Sequence, residues 1–356
     1  MDSNFLPDLS KFSNLNKYIK KVKLNKAIAE KRETMTIEQI RELISADMAR
    51  VNNLIEKSLY SEVGLIDQLG HYIINSGGKR LRPAVVLLSS RVFSYQGDQN
   101  INLAAIIEFI HTATLLHDDV VDASLLRRGH ATANQRWGNE ASVLVGDFVY
   151  SRAFQMMVNI DSMRVMKILS ETTNTIAEGE VQQLINRHDP ETSKENYLKV
   201  IRNKTAKLFE AAAHLGAVIS NRSEKEEQAM AAYGRHLGTA FQLIDDVFDY
   251  ASTPDELGKN IGDDLAEGKP TLPLLYAMWH GNEDDAQKIR DAIENGGLEH
   301  LEQIKATINS TGAIPYTAKI ANEEAELAID AIKELPPSKY LDALYALAMF
   351  SVERQY

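Results

Sequence analysis

From Ile37 to the C-terminus the apolar residues fall at three- and four-residue steps, and that periodicity leaves little choice of fold. Ile37, Ile40, Leu43, Ile44, Met48, Val51, Leu54, Ile55 and Leu59 set the pattern. It returns at about 62–75, 82–94, 101–120, 140–158, 163–187, 194–219, 223–250, 271–280, 284–295, 313–333 and 338–354. The two-residue alternation of a half-buried strand is missing throughout. Nine prolines interrupt 356 residues. Pro83, Pro190, Pro254, Pro270, Pro315 and the Pro336–Pro337 pair stand where helices should start or loops should run. No composition shift after residue 35 marks a linker. The pattern predicts one large all-α domain over residues 36–356.

Residues 1–35 read differently. The first 34 hold eight Lys or Arg against four acids, with scattered apolar residues and no strong period. They lack the apolar stretch of a signal peptide, and Asp2 and Asp8 do not suit a transit peptide. An N-terminal extension outside the chemistry is expected. No run approaches the roughly 18 apolar residues of a membrane-spanning helix. The net charge is −11, which argues against bulk attraction to nucleic acid or anionic lipid. With no cysteine, thiol catalysis, disulfides, iron–sulfur clusters and thiolate zinc sites are excluded. A reducing, cytoplasmic setting fits.

The stretch 101–120 is apolar nearly all round, as a helix at the centre of a bundle must be. Its end reads His117-Asp118-Asp119-Val120-Val121-Asp122. Asp118 and Asp122, four apart, share one helical face and can share a cation. Carboxylate oxygens without His or Cys suit a hard ion such as Mg²⁺. A single cluster of this kind is equally well a solvated helix end. The spacing repeats, however, in Asp245-Asp246-Val247-Phe248-Asp249, 127 residues further on. Two such faces opposed across a bundle would repel unless metal ions and a polyanion completed the site, and a diphosphate is the natural polyanion.

Cations stand around both clusters. Gly77-Gly78-Lys79-Arg80-Leu81-Arg82-Pro83 puts positive charge and free backbone donors in a turn before a helix, a favourable place for phosphate. Arg127 and Arg128 follow the first cluster, Lys204 and Thr205 lie in a later helical region, and Lys259 and Lys269 follow the second cluster. A lone Gly-Gly-Lys-Arg is more often a helix stop than a site. Joined to two Asp-Asp-x-x-Asp clusters it becomes a strong signal.

Together these segments resemble the trans-polyprenyl diphosphate synthases, in particular the bacterial octaprenyl diphosphate synthases. The resemblance spans about residues 36–354. It rests on GGKRLRP (77–83), EFIHTATLLHDDVVDASLLRRGHATAN (108–134), GEVQQL (179–184), KTAKLFEAAA (204–213), GTAFQLIDDVFDY (238–250) and GKNIGDDLAEGKPTLPLL (258–275). It implies an isoprenoid-synthase helical bundle around a central apolar channel, usually a homodimer. The implied reaction adds isopentenyl diphosphate head-to-tail to an allylic diphosphate such as farnesyl diphosphate, for the side chain of a respiratory quinone. By the same resemblance, Asp118, Asp122, Asp245 and Asp249 would bind about two or three Mg²⁺, within catalytic clusters that include Asp119 and Asp246. Lys79, Arg82, His111 and Arg128 would hold isopentenyl diphosphate. Arg127, Lys204, Thr205, Gln242 and Lys259 would contact the allylic diphosphate, with Lys269 nearby. His117 lacks such support and reads as a local packing or hydrogen-bonding residue.

Product length is addressed by the residues before the first cluster. Ala113 and Thr114 are small and leave open a channel running down the helix from the metals; bulky aromatics near these positions close it in short-chain relatives. From Asn102 to Asp118 is about 24 Å of helix, whereas an eight-unit prenyl chain approaches 40 Å. A full product must therefore bend or pass the base of that helix. Phe154, Met156 and Met157 are candidates for the floor, since Met suits a wall along which a chain slides. Heptaprenyl, nonaprenyl and decaprenyl products are the alternatives within the class. A non-catalytic partner subunit is the rival outside it, but such a chain should have eroded motifs, and both clusters are intact.

Overall fold

The computed structural model describes residues 35–75, 77–127, 129–251 and 262–353. The expected extension lies outside them but for Met35, as do Arg128 and Lys259. Seven helices carry the architecture: α1 (Leu81–Val92), α2 (Gln99–Val121), α3 (Asn139–Asn159), α4 (Met163–Asn186), α5 (Lys207–Ile219), α6 (Glu224–Ala251) and α7 (Ala313–Ile332). Shorter helices fill the spaces between them. Among the described residues the sheet content is one hairpin, Leu126–Arg127 antiparallel to His130–Ala131.

The all-round apolar character of α2 places it at the centre. Leu103, Ala104, Ala105, Ile106, Ile107 and Ile110 are all fully buried, 0 % exposed. The helix packs on α3, α1 and the helix Ser45–Leu59. The longest helix, α6, is an amphipathic rod clasped by α7 and α5. At Gly238 an added Cβ would lie 2.6 Å from the Cα of Ala206, so only glycine lets the two backbones meet there.

Along α6 the core changes hands. Met230, Tyr233 and Leu237 belong to the cluster built around α2. Leu243, Ile244 and Tyr250 join a second cluster with Leu265, Leu272 and Ile289 from the C-terminal helices. The second aspartate cluster sits on this later segment, and α2 ends beside it.

Four elements depart from the periodicity. The stretch 36–59 breaks at Ile44, whose φ of −114° ends Ile37–Leu43 before Ser45–Leu59 begins. Apolar spacing is the same on both sides, so the bend leaves no trace in it. Residues 194–219 are interrupted by a π-helical turn, Arg202–Ala206. The helix Leu301–Ser310 was not anticipated because it buries only Ile304, Thr307 and Ile308. The hairpin is too short and too exposed to show alternation.

Candidate active site

The site lies where α2, α4 and α6 bring their polar segments together. At its C-terminus a helix already presents partial negative charge, and α2 adds Asp118, Asp119 and Asp122 to that end. Such an arrangement requires cations, and the fold brings them from three directions. One cleft is lined by Asp118 and Asp122 from the first cluster, Gln242 and Asp246 from the second, and Lys204, Thr205, Asp264 and Lys269.

Lys204 comes from the π turn. Its Nζ lies 3.4 Å from Asp118 Oδ2, 2.5 Å from Glu180 Oε2 and 2.6 Å from Gln183 Oε1. The turn reaches this place because α4 carries Gly179, where a Cβ would stand 2.7 Å from the Lys204 backbone nitrogen. π-bulges of this sort occur frequently at functional sites. Burial pushes Glu180 up to about 7. The opposing pull of Lys204 is only partial.

Asp122 caps α2 and accepts from both Arg187 and Lys269, the latter at 3.1 Å. Burial works against its ionisation, but Lys269, Lys204 and Arg187 together hold its carboxyl below the ordinary value. Lys269 also pairs with Glu267. It is deeply buried, yet Asp264, Asp122 and Glu267 outweigh desolvation and keep its ammonium charged. Asp119 points elsewhere and receives Arg127 at 2.6 and 2.8 Å. Its carboxyl is raised by burial against the pull of that guanidinium.

The second cluster divides its labour. Asp246 is buried and accepts from Tyr197 at 2.5 Å and from Gln242 at 2.8 Å. Burial, with Asp264 close by, pushes it up to about 8. Gln242 in turn accepts from Thr205 at 2.9 Å, so one hydrogen-bonded chain runs from Tyr197 to the cleft. Asp249 accepts from the Asp264 amide at 3.3 Å. Asp245 is half-buried.

A second polar group lies deeper along α2. Arg82 donates to His111 Nε2 at 3.1 Å and stacks 4.4 Å over the Phe209 ring. A guanidinium has no acceptor, so Nε2 of His111 must be the unprotonated nitrogen here. Lys79 is exposed on the turn before α1. His117 contacts Val143 O and Asp147, both at 3.3 Å, the local role expected of it.

The residues expected to line a product channel are, Thr114 apart, in or against the apolar core around α2. Ala113 and Met157 are buried at 0 % and 1 % exposure, and Phe154 and Met156 are half-buried against the same cluster. Thr114 turns its hydroxyl to the carbonyl of His111 at 2.8 Å.

The donor set fits Mg²⁺. Asp118 and Asp122 line the cleft beside Asp246, and Asp245 and Asp249 stand on the same stretch of α6 as Asp246, all offering hard carboxylate oxygens. Among the described residues no three His, Asp or Glu side chains converge as a closed metal cage.

Sequence reasoning missed Glu180, Gln183, Arg187, Tyr197, Asp264 and Glu267. GEVQQL (179–184) and GDDLAEGK (262–269) carried most of them, but nothing in their spacing distinguishes a residue that holds Lys204 from an exposed helical polar residue. Arg187 and Tyr197 had no local signal.

Comparison with known proteins agrees with this geometry. The family description Polyprenyl synthetase matches residues 63–311. The octaprenyl diphosphate synthase of Haemophilus influenzae is 52% identical over 328 residues, covering 92% of this chain and all of that protein. The Escherichia coli octaprenyl diphosphate synthase is 53% identical over 321 residues, 90% of this chain and 99% of its own. A polyprenyl synthase from Caulobacter crescentus, solved with calcium and isoprenyl diphosphate, superposes with a TM-score of 0.88 at 42% identity, covering 91% of this chain and 100% of that one. A bundle with two aspartate clusters facing one cleft, and relatives matched over nearly their whole length, place the chain in the polyprenyl synthetase family.

Proposed function

We propose that the chain is a long-chain trans-polyprenyl diphosphate synthase making an octaprenyl product. It extends an allylic diphosphate such as farnesyl diphosphate with isopentenyl diphosphate units, for the side chain of a respiratory quinone. The observation that carries the reading is the single cleft shared by Asp118, Asp122, Gln242 and Asp246, with Lys204 and Lys269 among them. The catalytic unit is residues 36–356, acting in the cytoplasm. Among the described residues no helix is long and apolar enough to cross a membrane.

Asp118, Asp122, Asp245 and Asp249 would hold about two or three Mg²⁺, which would supply electrostatic stabilisation of the leaving group. The protein's own cations do the rest. Lys204, Lys269, Arg127 and Lys259 offset charge that develops on the allylic diphosphate as its carbon–oxygen bond breaks. Lys79, Arg82 and Arg128 hold isopentenyl diphosphate so that its double bond faces the allylic carbon. His111, whose Nε2 accepts from Arg82, orients that guanidinium. The proton released after carbon–carbon bond formation goes to the departing diphosphate. Ala113, Met157 and their neighbours keep water from the cation and leave space for the chain.

The protein acts as a homodimer. Val143, Leu144 and Val158 on α3 and Val181, Leu184 and Ile185 on α4 are exposed, between 37 % and 67 %. Exposed apolar side chains on these two consecutive helices support that reading.

The test is incubation of the purified chain with Mg²⁺, farnesyl diphosphate and labelled isopentenyl diphosphate, with products separated by length. An eight-unit ladder end is expected. No elongation by the chain alone would instead make it a non-catalytic partner subunit, and a shorter or longer end would correct the product.

A further inference from the structure

Arg80 stands between Lys79 and Arg82, and the diphosphate chemistry above gives it no task. It caps α1 in the left-handed region, at φ 48° and ψ 37°. A residue with a side chain is uncommon there and persists only where its surroundings impose the conformation. The imposing contact is visible: the Arg80 guanidinium bonds the Glu108 carboxylate on α2. Glu108 is 7% exposed, and a buried carboxylate without a partner is strongly destabilising.

Glu108 and His111 lie three residues apart and so share one face of α2. Arg80 takes the first and Arg82 takes the second, at 3.1 Å. The entry to α1 is thereby fastened to α2 at two successive points. Gly77, Gly78 and Lys79 project from the fastened turn and are exposed.

We infer that the Arg80–Glu108 pair is a positioning element for the second diphosphate pocket, holding the turn in the shape that presents Lys79 and Arg82 to isopentenyl diphosphate. Arg80 does not itself touch the ligand. The inference rests on the synthase reading above for the identity of that ligand.

Three variants test it: Arg80→Gly, Arg80→Gln and the double variant Arg80→Met/Glu108→Met. Glycine takes the left-handed conformation without strain but forms no pair. The double variant leaves no unpaired buried charge, so it folds where Glu108→Gln or Arg80 variants lose stability. In steady-state assays each variant should raise KM for isopentenyl diphosphate by about tenfold or more, since small misplacements of a binding group are costly. KM for farnesyl diphosphate should stay within about twofold, because that pocket is built from other elements. Equal rises in both KM values, or wild-type behaviour in the double variant, would show a purely structural pair and overturn the inference. Calorimetric titration with isopentenyl diphosphate alone separates the two readings. A wild-type chain that binds it but elongates nothing refutes the synthase assignment, while weakened binding in the three variants still supports the clamp. Unchanged binding in the variants refutes the clamp whatever the chain synthesises.

Discussion

Lys204 and Glu180 face each other across the seam between the π turn and α4, Nζ to Oε2 at 2.5 Å, while the same ammonium lies 3.4 Å from Asp118. The carboxylate is half-buried and its protonation is finely balanced, since burial pushes it up to about 7. The lysine's aim at the first aspartate cluster thus depends on a second acid that does not belong to either cluster.

This pair gives folding stability a specific pH dependence. Glu180 binds its proton more tightly when folded than at the ordinary 4.5. Between about 4.5 and about 7 the folded protein therefore carries extra proton, and its stability falls as pH rises through that window. Glu180→Gln removes this contribution. Denaturant unfolding of metal-free protein should show wild type losing stability relative to the variant across that range, and parallel curves would refute the burial-raised carboxyl of Glu180. The variant should also lower kcat, because Lys204 then loses its nearest carboxylate and keeps only Gln183 and the more distant Asp118.

Arg187 and Asp122 form the reverse case, a depressed carboxylate. Its stabilising contribution is present at neutral pH and is lost as pH falls through its lowered pKa. Both side chains are little exposed. Arg187→Gln should destabilise the metal-free protein by about 3 kcal/mol, the order expected for breaking a buried pair, and should move the acid loss to higher pH. Mg²⁺ with inorganic diphosphate should restore part of that stability by supplying Asp122 with another cation. Thermal denaturation with and without the two ligands checks both statements.

Gly179 makes a purely steric prediction. A methyl group there meets the Lys204 backbone nitrogen at 2.7 Å and Asn203 Cβ at 2.9 Å. Gly179→Ala must push the π turn away from α4, at a cost of about 1–3 kcal/mol for overpacking. Activity should fall by more than the loss of folded protein explains, because Lys204 moves with the turn. Kinetics on protein shown to be folded by circular dichroism decide it.

The proposed apolar channel gives a readout in product length. Ala113 is fully buried on α2, so Ala113→Tyr should place a ring across the channel and shorten the products. Met157→Ala, which opens the floor, should lengthen or broaden them. Chromatography of the dephosphorylated products checks both. A full-length product from Ala113→Tyr would mean that the channel runs elsewhere.

The helical class and the two carboxylate clusters were legible in the chain because each rests on local spacing. Apolar residues at three- and four-residue steps report a buried face, and Asp118 with Asp122 report a shared face, without knowledge of any partner. The nearly all-apolar run from Ile101 to Leu116 even announced which helix lies at the centre. Spacing could not report what meets what. That Lys204 is held by Glu180, Asp122 by Arg187, and Asp246 by Tyr197 joins residues 24, 65 and 49 positions apart. Such pairs exist only once α2, α4 and α6 have packed. The upward push on the Glu180 and Asp246 carboxyls comes from burial, which no residue possesses alone. Local spacing specified the elements and the chemical groups; packing chose the partners, because desolvation and ion pairing are properties of neighbours in space.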